Sequence, residues 1–470
     1  MTRDIHSIYM IGICGIAMGT LACMLKQMGF NISGSDDNVY PPMSDILHEW
    51  NIDVHIGFNA DNIDDPDLII IGNAISRGNV EAEYTLNRRI PYLSMAQALY
   101  NFFLRDKEVV SVSGTHGKTT TTALLSHILE HAGGEPSFFI GGVSRNYNTN
   151  FKLGLGKYFI IEGDEYDSAF FEKFPKFILY RPHHLVLTSL EFDHADIYNS
   201  LDEIKLWFKR LVNIIPSEGN IILSHEYPHL SEVVSRSYAK CYSFGNLDSD
   251  ICYEFLRHSG DFSELKIRFK QFNDIRLVTK LFGDYNYANI AAAVSMALLL
   301  GVNEAHIQHA VKTFKGVKRR QELIFSSNTI KIYEDFAHHP TEISSFLNGL
   351  RKRYPDSILW AIYEPRSATS RRNIFQDELS CSFAPSNRIL FKRPFKLQSI
   401  PESDRIDIER VQQDIINMKR DAFLFNSVDE IVDFTFREID PQRDNVIAIM
   451  SNGGFDNIYE KMTWRAREIT

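Results

Sequence analysis

The chain has 470 residues, of which 44% are hydrophobic and 23% charged, and its formal charge is -10. That length exceeds one hydrophobic core and suits about three domains, the acidic balance argues against generic nucleic-acid binding, and the composition excludes extended disorder. Cys14, Cys23, Cys241, Cys252 and Cys381 form no C-x-x-C pair and no metal-ligand spacing, which points to a reduced, cytoplasmic protein with no membrane segment.

From the N-terminus, Ser7 to Ile13 reads as a strand, Cys14 to Met18 as a turn and Gly19 to Met28 as a helix. Further strands follow at Asn31 to Ser35, ending at Asp36, and at Leu68 to Gly72. This is a Rossmann-like α/β unit, assigned to residues 1–104. Thr20-Leu21-Ala22-Cys23 loosely resembles a lipoprotein cleavage site, but Gly12, Gly15 and Gly19 and the mixed charge of Arg3 and Asp4 mark the segment as structure. The dinucleotide fingerprint is spoiled, because Cys14 and Ala17 stand where its second and third glycines belong. A diphosphate other than that of NAD is expected at this helix start.

The second unit, residues 105–321, opens with a buried strand ending in Val112-Ser113, then Gly114-Thr115-His116-Gly117-Lys118-Thr119-Thr120. Two glycines let backbone N–H groups approach phosphate oxygens, and a helix from Lys118 to His131 turns its positive end to the same anion. Lys118 would reach the β- and γ-phosphates of a nucleotide, and the Thr119 hydroxyl would sit on Mg²⁺. The generic spacing would need glycine at Val112, so this compact form marks a subset of phosphate-loop proteins. Strands at Tyr158 to Ile161 and Leu185 to Ser189 end in Glu162-Gly163-Asp164-Glu165 and Glu191-Phe192-Asp193-His194-Ala195-Asp196. Carboxylates at the carboxyl ends of successive strands lie where open α/β sheets bind ligands. His194 in its neutral form could ligate a metal or orient phosphate oxygens. A strand at Asn220 to Leu223 and an alanine-rich helix from Asn286 to Leu300 complete the unit.

Residues 322–470 alternate strand (Thr329 to Asp335), helix (Pro340 to Arg353), strand (Ser357 to Ala361), helix (Arg371 to Cys381), strand (Arg388 to Phe391), helix (Val428 to Arg437) and strand (Asn445 to Met450). The loop Ser451-Asn452-Gly453-Gly454 faces a ligand by the same logic. Lys318-Arg319-Arg320 is either a solvated linker or a hinge that swings an arginine onto the γ-phosphate. Asp335 suits a ribose hydroxyl pair, and His338 and His339 either line that site or cap the next helix. The fold expected is therefore α/β with three domains, the central one a P-loop unit with a parallel sheet between two Rossmann-like domains.

Taken in order, Gly114-Thr115-His116-Gly117-Lys118-Thr119, Glu162-x-Asp164-Glu165, Glu191-x-Asp193-His194, Gly283-x-x-Asn286-x-x-Asn289, Arg319-Arg320 and His338-His339-Pro340-Thr341-Glu342 resemble the signatures of the Mur ligases over essentially the whole chain. The resemblance implies that ATP activates the lactyl carboxylate of UDP-N-acetylmuramate as an acyl phosphate, which an amine then displaces. It assigns Thr119, Glu162 and His194 to Mg²⁺, and Lys118, Glu162, His194, Arg319 and Arg320 to catalysis. Gly114 to Thr120, Asn286, Asn289 and Asp335 would hold ATP. Cys14, Gly15, Ile16, Ala17, Met18, Asp36, Asn73 and Ser76 would hold the UDP sugar together with His116. The peptide would meet His338, His339 and Arg366, whose planar fork suits a carboxylate. Gly15 to Ala22, Gly72 to Asn79, Glu165 to Phe171, Leu190 to Ile197, Glu364-Pro365-Arg366-Ser367 and Met450 to Phe455 resemble the branch that adds L-Ala-γ-D-Glu-meso-diaminopimelate, a murein peptide, in peptidoglycan recycling. The branch that adds free L-alanine typically has proline-histidine-arginine-tyrosine, then threonine-arginine, across Glu364 to Ser370. Tyr285 replaces a histidine usual in the adenine motif, and Phe208 or Lys209 occupies the place of a lysine that other members carbamylate, a modification not expected here. A monomer or weak homodimer is expected. The rival from another class is a P-loop NTPase that couples hydrolysis to partner binding.

Overall fold

The computed structural model describes residues 5–195, 197–245, 248–394 and 396–469, so Arg3, Asp4 and Asp196, weighed above, lie outside the described residues. Three α/β layers follow one another along the chain, each on its own sheet. The first is a five-stranded sheet in the spatial order Asp53–Ile56, Asn31–Asp36, Ser7–Ile11, Leu68–Ile71, Tyr92–Ser94, with every pairing parallel. Strand Leu68–Ile71 is buried along its whole length, as a continuous aliphatic run between two helical layers requires.

The second sheet has ten strands, in the order Ile275–Thr279, Phe262–Phe269, Ile251–Ser259, Lys240–Gly245, Asn220–Ser224, His184–Leu187, Glu108–Ser113, Tyr158–Gly163, Ser137–Ser144, Thr149–Lys152. Its centre is parallel, and antiparallel hairpins close both edges. The strand that feeds the phosphate loop, Glu108–Ser113, lies between His184–Leu187 and Tyr158–Gly163. Three consecutive strand ends therefore deliver the loop, Glu162 and the Glu191 to His194 segment to one place. The helix Lys118–His131 is buried from Thr119 to Leu129 against that sheet and the helix Asp284–Leu299. The run Ala291-Ala292-Ala293 lets the two helices approach closely. Truncating a core side chain such as Leu124 to alanine would cost about 2–5 kcal/mol.

The third sheet runs Glu322–Ser326, Ile330–Asp335, Asn445–Met450, Ile358–Tyr363, Arg388–Lys392, Asp421–Phe425 and is parallel except for its first strand. Two helices start away from the expected positions for clear local reasons. The first helix begins at Ile16 rather than Gly19, because Gly15 is an extended N-cap whose carbonyl accepts the Gly19 N–H at 2.8 Å. The helix expected from Arg371 begins at Gln376, after a 3₁₀ turn at Asn373–Phe375. Upstream, Ser367 Oγ accepts the Ser370 N–H at 2.9 Å and Ser370 Oγ accepts the Arg366 N–H at 3.1 Å, so hydroxyls compete with the helical ladder there.

Between the second and third layers the backbone changes partners abruptly. The Gly316 carbonyl accepts from Arg145 N (3.0 Å), and Lys318 N donates to the Val143 carbonyl (2.9 Å). One residue later Arg319 binds the third layer: Nε reaches Glu334 Oε1 at 2.7 Å, and the guanidinium donates to the carbonyls of Ser451 (3.0 Å) and Gly453 (2.6 Å).

Candidate active site

The three layers enclose one cleft of about 1410 Å³, lined by Ile16, Ala17 and Thr20 of the first, the phosphate loop, Glu162 and His194 of the second, and Asp335, His338 and Thr369 of the third. Left-handed backbone shapes the loop: Gly114 has φ +136° and Gly117 φ +81°. A Cβ at Gly114 would stand 2.4 Å from Thr188 Oγ1, and one at Gly117 2.4 Å from Asn289 Oδ1, so glycine is required by space as well as by torsion. Among the described residues no side chain caps the helix start at Gly117, which leaves its N–H groups for an anion.

Lys118 Nζ donates to the Gly114 carbonyl at 2.6 Å and to both Glu165 oxygens at 3.2 and 3.0 Å. Burial works against its charge, but Glu165, Asp164 and Glu162 more than reverse this and raise its pKa. Thr119 Oγ1 donates to Glu162 Oε1 at 2.9 Å, and Gly141 N donates to Glu162 Oε2 at 2.8 Å. Burial and the neighbouring Asp164 raise the Glu162 pKa, the signature of a carboxylate short of positive charge. His194, at φ +53°, places Nε2 3.3 Å from Glu165 Oε1. Burial opposes its charge, yet Glu165 raises its pKa to about 9, while Glu165 itself, despite burial, is held down to about 2 by Lys118 and His194.

His116 is gripped from two layers. Its Nε2 lies 2.7 Å from Glu191 Oε2, and its Nδ1 lies 3.2 Å from Glu342 Oε1 on the helix Pro340–Arg353. Burial lowers and the two carboxylates raise its pKa, to about 9 overall. Thr341 Oγ1 adds a 3.2 Å bond to Glu191 Oε1, and Thr369 Oγ1 a 3.1 Å bond to Asp193 Oδ1. The third layer thus sits directly on the phosphate loop.

Asn289 Nδ2 donates to Asn286 Oδ1 (3.3 Å), and Asn286 Nδ2 donates to Gln321 Oε1 (3.1 Å). Gln321 Nε2 donates to the Tyr285 hydroxyl at 2.7 Å, and Gln321 N donates to Asp335 Oδ2 at 2.7 Å. Burial raises the Asp335 pKa to about 6. These side chains form one patch on the cleft wall.

Other residues singled out in the sequence fall differently. The Arg319 guanidinium is committed to Glu334 and the Ser451 to Gly453 loop, whereas Arg320 stacks 4.6 Å over Phe336 with Glu342 3.9 Å away. His339 Nδ1 accepts the Thr341 N–H at 3.3 Å and so caps the helix, while His338 lines the cleft. Met18 packs into the first-layer core, 5% exposed. Asp36 Oδ2 accepts the Cys14 N–H at 2.9 Å and shapes the turn before the exposed Gly15, and Asn73 and Ser76 are exposed. Ile16 and Ala17 alone of the expected UDP residues in this layer line the main cleft. Arg366 NH1 binds Glu364 Oε2 at 3.2 Å beneath Gly453, and the buried Glu364 also accepts from Lys392 Nζ (3.1 Å) and Ser451 Oγ (3.2 Å). Lys209 pairs with Glu232 at 2.6 Å and Phe208 is buried against Phe177, both away from the cleft wall. Gln321, Glu342 and Thr369 had no role assigned from sequence, and Glu165, read there only as one carboxylate of a strand-end cluster, binds Lys118. Only Glu342 carried a readable sign, four residues after His338 on one helix face.

Two family models match the chain, one described as Mur ligase family, catalytic domain, over residues 7–107, the other as Mur ligase middle domain, over residues 112–297. The UDP-N-acetylmuramate–L-alanyl-γ-D-glutamyl-meso-2,6-diaminoheptandioate ligase of Escherichia coli (strain K12) is 37% identical over 97% of both chains. The chain belongs to the Mur ligase family. Within it, a UDP-N-acetylmuramate–L-alanine ligase from Desulforapulum autotrophicum is 31% identical over 87% of each chain. The crystal structure of a murein peptide ligase from Psychrobacter arcticus 273-4 superposes with a TM-score of 0.71 at 33% identity and covers 99% of both chains. The three-domain α/β architecture is that of Mur ligases, and among the described residues no helix is long and apolar enough to cross a membrane.

Proposed function

We propose that this Mur ligase joins the lactyl carboxylate of UDP-N-acetylmuramate to the free α-amine of L-Ala-γ-D-Glu-meso-diaminopimelate, with ATP converted to ADP and phosphate, in cytoplasmic peptidoglycan recycling. The observation that carries the reading is the single cleft in which a phosphate loop, two strand-end acidic clusters and surfaces of both flanking domains meet. Higher identity to the tripeptide ligase than to the alanine ligase supports the choice of amine.

The carboxylate oxygen attacks the γ-phosphorus of ATP, the bond to the β-γ bridging oxygen breaks, and ADP leaves. The amine then attacks the acyl phosphate carbon, loses a proton, and inorganic phosphate departs from the tetrahedral intermediate. Negative charge gathers on the transferred phosphoryl group, so the reaction needs fixed positive charge rather than a covalent nucleophile. Lys118 and the N–H groups of Gly117 to Thr119 supply it from below. Arg320, at the junction with the third domain and without the ion pair and carbonyl bonds that hold Arg319, supplies it from the opposite side.

The donors Thr119 Oγ1 and Glu162, with a half-buried carboxylate short of positive charge and His194 one strand away, fit a Mg²⁺ ion. When bound, the ion would neutralise the β- and γ-phosphate oxygens. Asn286, Asn289 and Tyr285 would receive the adenine, Asp335 the ribose, and Ile16 and Ala17 the UDP sugar; His338 and Arg366 would meet the peptide. An ADP-release assay with UDP-N-acetylmuramate and either L-alanine or the tripeptide tests the proposal. Turnover should require the tripeptide; preference for L-alanine moves the enzyme to the other branch, and hydrolysis independent of both makes it an NTPase of a different class.

A further inference from the structure

We propose that His116, Glu191 and His339 form a site for one zinc-class divalent transition metal, separate from the magnesium residues, that pins the C-terminal domain onto the phosphate loop. Their ligand atoms lie within 4.8 Å of one another. His116 Nε2 is 2.7 Å and His339 Nδ1 is 3.8 Å from the same oxygen, Glu191 Oε2. Two imidazoles and one carboxylate with a fourth position left for water is a zinc donor set, and ligand bonds of about 2.0–2.2 Å need only sub-ångström shifts of these side chains. Magnesium, a hard ion that prefers oxygen, has little use for it.

An outer layer is already built. Glu342 Oε1 sits 3.2 Å from His116 Nδ1, which fixes the tautomer that leaves Nε2 as the ligand atom. Thr341 Oγ1 donates to Glu191 Oε1 at 3.2 Å, which turns the other carboxylate oxygen toward the two rings. His339 is 6% exposed, so its ring is held by packing, and its rings and those of His116 lie 4.8 Å apart. The metal would displace the proton shared by His116 Nε2 and Glu191. It would also take the lone pair that His339 Nδ1 lends to Thr341 N over a long 3.3 Å contact. Pro340 beside it has no N–H, so the helix start has one fewer donor to satisfy.

His116 and Glu191 belong to the middle domain and His339 to the third, so the complete donor set exists only when these domains are docked. A metal that binds the docked form alone shifts the equilibrium toward it and should slow product release. The test is zinc titration against a chromophoric chelator in saturating Mg²⁺, together with the visible spectrum of the Co²⁺-substituted enzyme. One zinc equivalent and the intense band of four-coordinate cobalt are expected. His339→Asn, which keeps a helix-capping side chain, and Glu191→Gln should each lower zinc affinity on the order of 100-fold, and Thr341→Val about 10-fold. His194→Ala should keep the zinc equivalent. The site is refuted by a wild-type enzyme without the cobalt band, by wild-type affinity in His339→Asn, or by an equivalent that follows His194 or the half-buried His131, which packs against His127 and His309, instead. None of these results touches the ligase reading, which stands or falls on ADP release.

Discussion

The phosphate loop and the expected peptide pocket are both built from charged residues beside glycines, yet they are organised in opposite ways. In the loop, residues within seven positions of one another aim backbone N–H groups and Lys118 at a single point, and neighbouring strand ends supply Glu162 and Glu165. In the pocket, Glu364, Arg366, Lys392, Ser451 and Asp456 come from three separate segments and satisfy one another, with Lys392 Nζ 2.6 Å from Asp456. The first arrangement is one local motif whose purpose is fixed by its geometry. The second is a neutralised network that would meet a peptide only if one of its pairs opened.

The largest effect should come from the loop. Lys118→Ala should reduce kcat on the order of 100-fold or more, with the fold retained by circular dichroism, because a preorganised charge at the transferring phosphoryl group is lost. Near wild-type turnover would remove the loop from the chemistry. At the pocket, Arg366→Ala should raise KM for the tripeptide roughly 10-fold and leave KM for UDP-N-acetylmuramate unchanged. A change in both, or in kcat alone, would make Arg366 a support for the Ser451 to Gly453 loop instead of a peptide contact.

A third measurement probes the seam between the two regions. His116 has a folded-state pKa of about 9 against an unfolded value near 6.5, so its contribution is complete below about pH 6.5 and disappears as pH rises through 9. Stability should therefore fall between about pH 6.5 and 9 by on the order of 1–3 kcal/mol, seen as a declining Tm. His116→Gln should flatten that slope, and an unchanged slope would place the titration elsewhere. The smallest effect is expected from Met18→Leu. Met18 is a core side chain, so the change should cost less than about 1.5 kcal/mol and leave KM for the UDP sugar as it was.

The same contrast explains what was readable beforehand. The helix Lys118–His131, the helix Pro340–Arg353 and the strand Asn445–Met450 have the bounds their patterns predicted, because glycine, proline and apolar runs act locally. The hairpins at the edges of the central sheet, the strand Asp421–Phe425 and the helix Ile408–Asn417 were not anticipated, since their identity comes from what they pack against. In the site, motif letters located Thr119, Glu162 and His194, but nothing in a linear pattern says that Glu342 will face His116 across 226 positions of chain or that Thr369 will meet Asp193. His339 illustrates how one letter served two readings: it caps a helix and also faces Glu191.

The change of partners at Lys318 and Arg319 acts as a fulcrum. The Gly316 carbonyl and the Lys318 N–H are hydrogen-bonded to the middle domain, and the Arg319 side chain is held in the third. Arg320 is therefore the short arm of a lever whose long arm is the whole C-terminal domain. If the domains rotate about that peptide, the distal helices would sweep a wide arc while the Arg320 backbone scarcely travelled, and coarse closure at the rim would become fine positioning of a guanidinium over the phosphate loop.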